Sequence, residues 1–173
     1  NKKIFFLLGG KDLEMITIKN ILTENKVNFY DANLKWDNAF LSIYLDYIYE
    51  GNVYYGVELI EDCPLPKNYI RIDHHNNYSY KTSSLEQIAS LLNIKLDRWQ
   101  KLVAINDAQY IDGMTAFGAT VEEINQIRLK DRKAQGVSKS EEIEAINAIE
   151  KSKMINGVRL VYTTNYHFSP ICD

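Results

Sequence analysis

Short continuous runs of apolar residues divide the first half of the chain, as expected for strands buried on both faces of a parallel sheet. Four strands are predicted: Lys3–Leu8, Val27–Tyr30, Val53–Val57 and Tyr69–Ile72. Apolar residues at helical spacing lie between them and predict helices at Met15–Leu22 and Phe40–Ile48. This alternation of strands and helices favours an α/β domain built on a parallel sheet.

The second half of the chain is predicted to be mostly helical. Ser84 can cap a helix, with Gln87 placed to complete a capping box. Trp99–Val103 lies on a further helix that ends near Asp107. Two polar-faced helices and a late strand follow: Val121–Ala134, Ser140–Lys153 and Val158–Thr163. The whole pattern predicts one three-layer domain over residues 1–173, with helices on both faces of the sheet.

Composition and charge narrow the class of protein. The chain has 173 residues, of which 46% are hydrophobic, so a folded domain with a real core is expected. Its net charge of −3 argues against a general polyanion-binding surface. Cys63 and Cys172 are too few and too distant for a disulfide framework, which favours a reducing compartment. No apolar run approaches the roughly 18 residues of a membrane span, so we expect a cytoplasmic protein with no membrane segment.

An acid and two imidazoles follow the fourth predicted strand, as Asp73, His74 and His75. Such a cluster costs solvation free energy unless a metal, a phosphate or close hydrogen-bond partners compensate it. The carboxyl ends of strands are also where open α/β sheets bind ligands. A surface turn is the alternative interpretation, since Asn76 and Asn77 come next and favour turns. A chemical site is the leading hypothesis.

Other acids follow the same pattern. Asp12 and Glu14 come directly after the first predicted strand, Glu58 ends the third, and Asp107 ends a later helix. In a parallel sheet these groups would share one edge, and carboxylates crowded together repel each other unless a cation is present. An acid at a helix end also opposes the helix dipole, which favours a functional reason for Asp107. Mixed oxygen and imidazole ligands suit Mn²⁺, Fe²⁺ or Zn²⁺, and the excess of carboxylates favours Mn²⁺.

Some of these residues have structural alternatives. Asp12 could cap the first helix, with Glu14 favourable in its first turn. Glu61 or Asp62 could take the place of Glu58. Which of these acids reaches the site depends on strand geometry.

Aromatic residues near the proposed site offer a further possibility. Tyr78, Tyr80 and Tyr110 could stack on a base, although a tyrosine-rich composition is the simpler explanation. His167 has no partner suggested by the sequence and is predicted to be a structural histidine.

The segment Ile70–His75, with the sequence Ile-Arg-Ile-Asp-His-His, resembles the signature motif of the DHH phosphoesterase superfamily. The resemblance implies a parallel α/β N-terminal domain that holds two divalent metals, usually Mn²⁺, and a C-terminal domain that closes over the substrate. That superfamily includes single-strand exonucleases, oligonucleotide and cyclic-dinucleotide phosphodiesterases, and inorganic pyrophosphatases. The implied partner is therefore a phosphate-containing small molecule or a short oligonucleotide, and the implied activity is hydrolysis of a phosphodiester or phosphoanhydride.

The resemblance also implies roles for individual residues. Five would hold the metal, in the order of the family's acidic elements: Asp12, Glu14, Glu58, His74 and Asp107. Glu58 would bridge two cations. His75 would contact the phosphate, and Asp73 would orient an imidazole. Mn²⁺ is the expected metal, with Mg²⁺ or Zn²⁺ as alternatives.

The chain departs from the family pattern at its first motif. Leu8 stands where the family has a histidine, and Glu14 and Glu58 stand where it has aspartates. Two other functions therefore stay open: a catalytically degenerate DHH-like domain that binds metal or nucleotide in regulation, and a metal-independent nucleotide-binding domain. The chain stops at Asp173 with no obvious closing element, so we expect an N-terminal part of a longer two-domain protein, with little activity alone.

Overall fold

A four-stranded parallel sheet forms the centre of the structure, a computed structural model that describes residues 2–173. Its strands are β1 (Ile4–Leu8), β2 (Asn28–Asp31), β3 (Val53–Val57) and β4 (Tyr69–Ile72). They lie in the order β2-β1-β3-β4, and each neighbouring pair is parallel. The sheet confirms the predicted α/β fold class and all four predicted strands.

Four α-helices cover one face of the sheet: α1 (Leu13–Glu24), α2 (Ser84–Leu91), α3 (Arg98–Ala116) and α4 (Val121–Ala134). Successive strand residues point to opposite faces, so Phe6 and Leu8 of β1 lie on this side with Val57 of β3 and Ile72 of β4. These side chains pack against the buried faces of the four helices in one apolar core. The predicted helical second half is confirmed.

The opposite face of the sheet carries a second apolar core, which includes Leu7 of β1 and Tyr54 of β3. Two 3₁₀-helices cover it, at Trp36–Asn38 and Leu41–Tyr47. The predicted three-layer arrangement is therefore present, with α-helices in one outer layer and 3₁₀-helices in the other.

The α-helix predicted at Phe40–Ile48 is wrong in type because this segment has hydrogen-bond partners elsewhere in the fold. The Leu41 N–H donates to the carbonyl of Ile60 (2.9 Å), which holds the start of the segment against the chain that leaves β3. The hydroxyl of Tyr44 donates to the carbonyl of Leu8 (2.6 Å). Tertiary contacts of this kind override the helical preference suggested by apolar spacing.

The last part of the chain contains a hairpin between two helices. Its elements are α5 (Lys139–Glu150), β5 (Lys153–Ile155), β6 (Val158–Leu160) and α6 (Ser169–Cys172). The strand predicted at Val158–Thr163 is present but shorter, and it pairs antiparallel with β5, a strand that was not predicted and that begins at Lys153, the last residue of the predicted helix. Asn156 and Gly157 join the strands with positive φ angles of 50° and 80°. An Asn-Gly pair is a strong hairpin signal, so the sequence contained the information.

The helix that carries Asp107 is longer than predicted. It continues to Ala116 as α3, with a kink at Tyr110, whose φ of 58° and ψ of −151° are not helical. Asp107 lies just before this kink, so the helical segment that begins at Arg98 does end close to it. None of the helices within residues 2–173 is long and apolar enough to cross a membrane.

Candidate metal centre

The carboxyl ends of β1, β3 and β4 lie side by side where the chain connections change direction across the sheet. β1 leads through α1 to β2 on one side, whereas β3 lies on its other side. Such a switch point is the usual ligand-binding place of an open α/β sheet. Asp12 and Glu14 follow β1, Glu58 follows β3 and His74 follows β4. The sheet therefore brings these four residues to one edge.

Two glycines allow the chain segments to approach each other closely at this edge. A Cβ at Gly9 would lie 2.4 Å from the carbonyl oxygen of Val57 and 2.6 Å from that of Glu58. A Cβ at Gly10 would lie 2.3 Å from the ring of Trp36. Any larger residue at either position would therefore push apart the segments that carry Asp12 and Glu58 or displace Trp36.

Three carboxylates surround the imidazole of His74. Its Nε2 lies 2.8 Å from Asp107 Oδ2, 3.2 Å from Glu58 Oε1 and 3.4 Å from Glu14 Oε2. None of these approaches has the direction of a hydrogen bond, although the distances are short. Five buried side-chain atoms have no hydrogen-bond partner within the described residues, and all but the Tyr69 hydroxyl belong to this cluster: Glu14 Oε2, Glu58 Oε2, His74 Nε2 and Asp107 Oδ2. Unpartnered buried polar atoms are rare and costly, and here they gather at one point.

One oxygen of each of the two glutamates is held by the start of α2. Glu14 Oε1 accepts a hydrogen bond from the backbone N–H of Leu85 (3.0 Å), and Glu58 Oε1 accepts one from the hydroxyl of Ser84 (2.6 Å). Both carboxylates are thus fixed while each keeps one oxygen without a partner. Ser84 was predicted to cap α2, and this is wrong. The cap is Ser83, whose capping box is completed by Glu86, the residue type that favours this motif.

A group of four residues at this edge could hold a metal ion. Glu58, His74, His75 and Asp107 each offer one ligand atom, and these atoms lie within 4.8 Å of one another. Glu14 adds a further carboxylate oxygen beside His74. The donor set of carboxylates and imidazoles suits a divalent transition metal. The atoms without hydrogen-bond partners are available to coordinate it. The residues present therefore fit a divalent cation.

Burial and crowding alter the protonation of the centre. Burial raises the pKa of Glu14 well above its ordinary value, and the neighbouring charges of Glu58 and Asp107 raise it further, against an opposing contribution from His74. Burial also raises the pKa of Asp12, again with Asp107 and Glu58 contributing. Burial alone would lower the pKa of His74, but the three carboxylates around it raise it to about 12. In the absence of a metal, protons held by Asp12, Glu14 and His74 therefore offset part of the negative charge of this centre.

Asp12 has a structural role in addition to its place near the centre. Its side chain accepts a hydrogen bond from the Met15 N–H (2.7 Å) and caps α1, as the alternative interpretation of the sequence expected. It is only 2% exposed and lies close enough to Asp107 and Glu58 to sense their charges. It is not among the four residues whose ligand atoms gather most closely.

The structure distinguishes the three acids that follow β3. Glu58 lies beside His74, whereas Glu61 forms an ion pair with Arg71 (2.6 Å) and Asp62 accepts hydrogen bonds from Ser42. The strand geometry therefore directs only the first of the three to the centre.

The carboxylate of Asp73 bonds a backbone N–H and a guanidinium rather than an imidazole ring. One of its carboxylate oxygens accepts a hydrogen bond from the N–H of His75 (2.9 Å), and the other accepts one from Arg71 (3.0 Å). Neither of these bonds goes to a ring, and the role of Asp73 in orienting an imidazole stays a prediction. Asp73 fixes the turn that follows β4 and so sets the direction in which His74 and His75 leave the strand.

His75 is the more accessible of the two imidazoles. Its Nε2 lies 3.8 Å from Asp107 Oδ2, and its ring packs edge-on against His74 and is stacked on Trp36 with 5.7 Å between ring centroids. A cavity of about 410 Å³ opens beside it, lined by residues that include Trp36, Glu58 and Arg71. Trp36 was not predicted. Its close contact with Gly10 could have identified it, but this contact is visible only in the folded structure.

The aromatic residues suggested by the sequence lie elsewhere. Tyr78 packs under Arg71 and Lys81, Tyr80 is 79% exposed, and none of the three suggested tyrosines lines the cavity beside His75. His167 contacts Glu141 (2.7 Å between Nδ1 and Oε1), as expected for a structural histidine.

The first family motif differs from the DHH pattern in the structure as well as in the sequence. Leu8, at the position of the family's histidine, is 1% exposed and belongs to the apolar core beneath the helices. No family model, curated protein or solved structure matches this chain. Membership of the DHH superfamily therefore stays a prediction that depends on the motif around His74.

Proposed function

We propose that this chain is the metal-binding domain of a divalent-metal-dependent phosphoesterase, which hydrolyses a phosphodiester or phosphoanhydride. The observation that carries the proposal is the gathering of carboxylate oxygens from Glu14, Glu58 and Asp107 within 2.8–3.4 Å of His74 Nε2, in a cluster where each of these four residues keeps one buried atom without a hydrogen-bond partner. Mn²⁺ is the metal we expect, because carboxylates outnumber imidazoles among the donors. The free cysteines, Cys63 and Cys172, agree with action in a reducing cytoplasm.

A divalent cation bound there would supply Lewis-acid stabilisation of a phosphoryl oxygen and a more reactive water. The chain's own residues contribute position. The hydrogen bonds from Ser84 and Leu85 hold Glu58 and Glu14 before any ligand arrives, so little reorganisation is needed. His75 lies at the cavity with an exposed ring edge, where it can donate a hydrogen bond to a phosphate oxygen. Asp73 holds the backbone of His75 for that contact.

A second function is favoured by one particular observation. Leu8 buries an apolar side chain where the family pattern has an imidazole, so the centre has one ligand fewer than expected. A centre that holds a cation without turning over substrate would act as a metal- or nucleotide-binding regulatory module. The two functions share the cation and differ in hydrolysis.

The test of cation binding compares three proteins by calorimetric titration with Mn²⁺: the unmodified chain, His74→Ala and His167→Ala. We expect His74→Ala to weaken affinity by 100-fold or more, which corresponds to about 2.7 kcal/mol, because it removes the atom at which the carboxylates converge. His167→Ala should bind as the unmodified chain does. Equal affinity of all three proteins would contradict the proposal.

Hydrolysis of a generic phosphodiester, short oligonucleotides and pyrophosphate in Mn²⁺ separates the two functions. We expect little turnover by residues 1–173 alone and more by any longer native form, since orienting the phosphate can contribute roughly 7–11 kcal/mol to barrier reduction. Binding of Mn²⁺ without turnover in every form tested would favour the regulatory module. Efficient turnover by this chain alone would show that it already contains a whole active site.

A further inference from the structure

A second cluster of buried charged and polar side chains lies beneath the helical layer. It consists of Asn106 on α3 together with Arg128 and Asp131 on α4, and is called the anchor network below. The three residues are 4%, 6% and 4% exposed. None of the buried side-chain atoms without a hydrogen-bond partner belongs to these three residues.

Arg128 is the centre of this anchor network. Its guanidinium donates to Asn106 Oδ1 (3.0 Å) and to Asp131 Oδ2 (2.9 Å), and its other donors bind Asp173 and the hydroxyl of Tyr110. Five N–H groups thus make five hydrogen bonds, which is the full capacity of an arginine. A fork of this kind constrains direction as well as distance.

Each end of the anchor network lies next to a residue of the metal centre. Asp131 Oδ1 accepts a hydrogen bond from the backbone N–H of Leu13 (3.2 Å), which stands between Asp12 and Glu14 at the start of α1. That N–H has no partner within its own helix, and an acid there is favoured by the helix dipole. At the other end, Asn106 precedes Asp107 directly. One ion pair on α4 therefore holds two segments that both deliver carboxylates to His74.

Apolar packing alone would not require this arrangement. A buried ion pair costs desolvation, and well-packed apolar residues of similar volume are often as stable or more so. Hydrogen bonds from one guanidinium to several partners add a fixed geometry that apolar contacts lack. Such geometry is useful where Glu14 and Asp107, on different helices, must be held together against the repulsion of their charges.

Building on the proposed function, we propose that Arg128 and Asp131 are positioning residues of the metal centre. They set the distance between Glu14 on α1 and Asp107 on α3 and so determine the geometry offered to the cation. They do not touch the cation themselves. Groups that orient metal ligands through hydrogen bonds typically change metal affinity 10–100-fold when they are replaced.

The test uses Arg128→Lys, which keeps the charge but loses the fork, and Asn106→Ala, which removes only the link beside Asp107. The matched control is Arg98→Lys. Arg98 also joins α3 to α4 through two hydrogen bonds to Glu123 (2.7 and 2.8 Å), but it has no contact with the centre. Mn²⁺ affinity is measured by calorimetry well below the melting temperature of each variant, and Co²⁺ is added separately because its absorption bands report ligand geometry.

We expect Arg128→Lys to weaken Mn²⁺ binding 10–100-fold and to shift the Co²⁺ bands. Asn106→Ala should have both effects to a smaller extent. Arg98→Lys should leave affinity and bands unchanged. Arg128→Lys with a lower melting temperature but unaltered affinity and bands would overturn the inference and leave a purely structural ion pair. If Arg128→Lys does not fold, unaltered affinity of Asn106→Ala overturns it. If the unmodified chain itself binds no Mn²⁺, the proposed function fails and this inference fails with it.

Discussion

The metal centre and the anchor network are both buried clusters of charged side chains, but they differ in how their polar atoms are partnered. Arg128 and Asp131 satisfy each other and their neighbours within hydrogen-bond distance. At the centre, Glu14, Glu58 and Asp107 surround a single imidazole, and each of them keeps one buried oxygen without a hydrogen-bond partner. Glu14, Glu58 and His74 are as deeply buried as Asn106, Arg128 and Asp131, so burial alone does not distinguish a structural cluster from a site.

The difference concerns charge balance as well as geometry. Around the anchor network two guanidiniums face two carboxylates, because Arg128 pairs with Asp131 and Asp173, and Arg132 also pairs with Asp173. Although burial opposes it, hydrogen bonds from Arg128, Tyr110 and Arg132 hold the pKa of Asp173 below its ordinary value. In the centre the carboxylates outnumber the imidazoles, and the pKa values of Asp12 and Glu14 are raised. A balanced cluster stabilises the fold as it stands, whereas an unbalanced one needs a proton or a cation.

The comparison is tested most severely by Arg128→Met. The substitution leaves the buried carboxylate of Asp131 without its cation, which should lower the free energy of unfolding by about 3–5 kcal/mol and the melting temperature by roughly 10 °C. Thermal or urea unfolding measures the loss. Arg98→Met, at an exposed ion pair, is the control and should cost far less. An unchanged stability of Arg128→Met would mean that the two clusters do not differ as described.

Removing a charge from the centre should have the opposite sign. Glu14→Gln keeps an acceptor for the Leu85 N–H and takes away a buried charge that repels Glu58 and Asp107. We expect the metal-free variant at pH 8 to be more stable than the unmodified chain by on the order of 1 kcal/mol, while Mn²⁺ affinity falls. Urea unfolding with a chelator and calorimetry with Mn²⁺ measure the two effects. Loss of stability without metal would indicate that Glu14 is there for structure.

A smaller effect is expected from pH. Glu14, with an ordinary pKa of 4.5, and His74, with an ordinary pKa of 6.5, both have raised pKa values in the metal-free fold. The folded chain therefore keeps protons that the unfolded chain has released, so the free energy of unfolding falls as pH rises above these ordinary values. The melting temperature in chelator should decrease from pH 5.5 to pH 8.5.

Saturating Mn²⁺ should reverse this trend, because the cation replaces the protons and binds more tightly as they leave. Glu14→Gln should weaken the pH dependence in chelator, since one of the titrating groups is gone. The same melting curves in both conditions would show that the centre does not exchange protons for metal.

The sheet was predictable from the sequence because parallel strands buried on both faces leave continuous apolar runs. The 3₁₀-helix at Leu41–Tyr47 was not, since the bonds of Leu41 and Tyr44 to distant carbonyls leave no trace in local spacing. The β5–β6 hairpin was predictable in part. The Asn156-Gly157 pair indicates a hairpin, but the helical spacing of apolar residues before it favours a helix that continues to Lys153.

The candidate site divides in a similar way. Strand-end positions and the motif around His74 were enough to suggest Glu58 and Asp107 as neighbours, because topology brings strand ends together. The contributions of Ser84, Trp36 and Arg128 depend on contacts between segments far apart in the chain, and their residue types carry no special pattern. Asp73 was predicted to orient an imidazole because the sequence does not show whether a carboxylate bonds the ring of a neighbouring histidine or its backbone N–H.

The spacing of the ligands along the chain has a consequence for synthesis. A growing chain emerges from its N-terminus, so Glu14, Glu58 and His74 are available long before Asp107, and Asp107 before Arg128 and Asp131. An early cation would meet only part of the ligand set, held by a sheet that has only α1 of the helical layer over it. Because a ligand stabilises only the states that bind it, metal should favour the completed domain and do little for the nascent one.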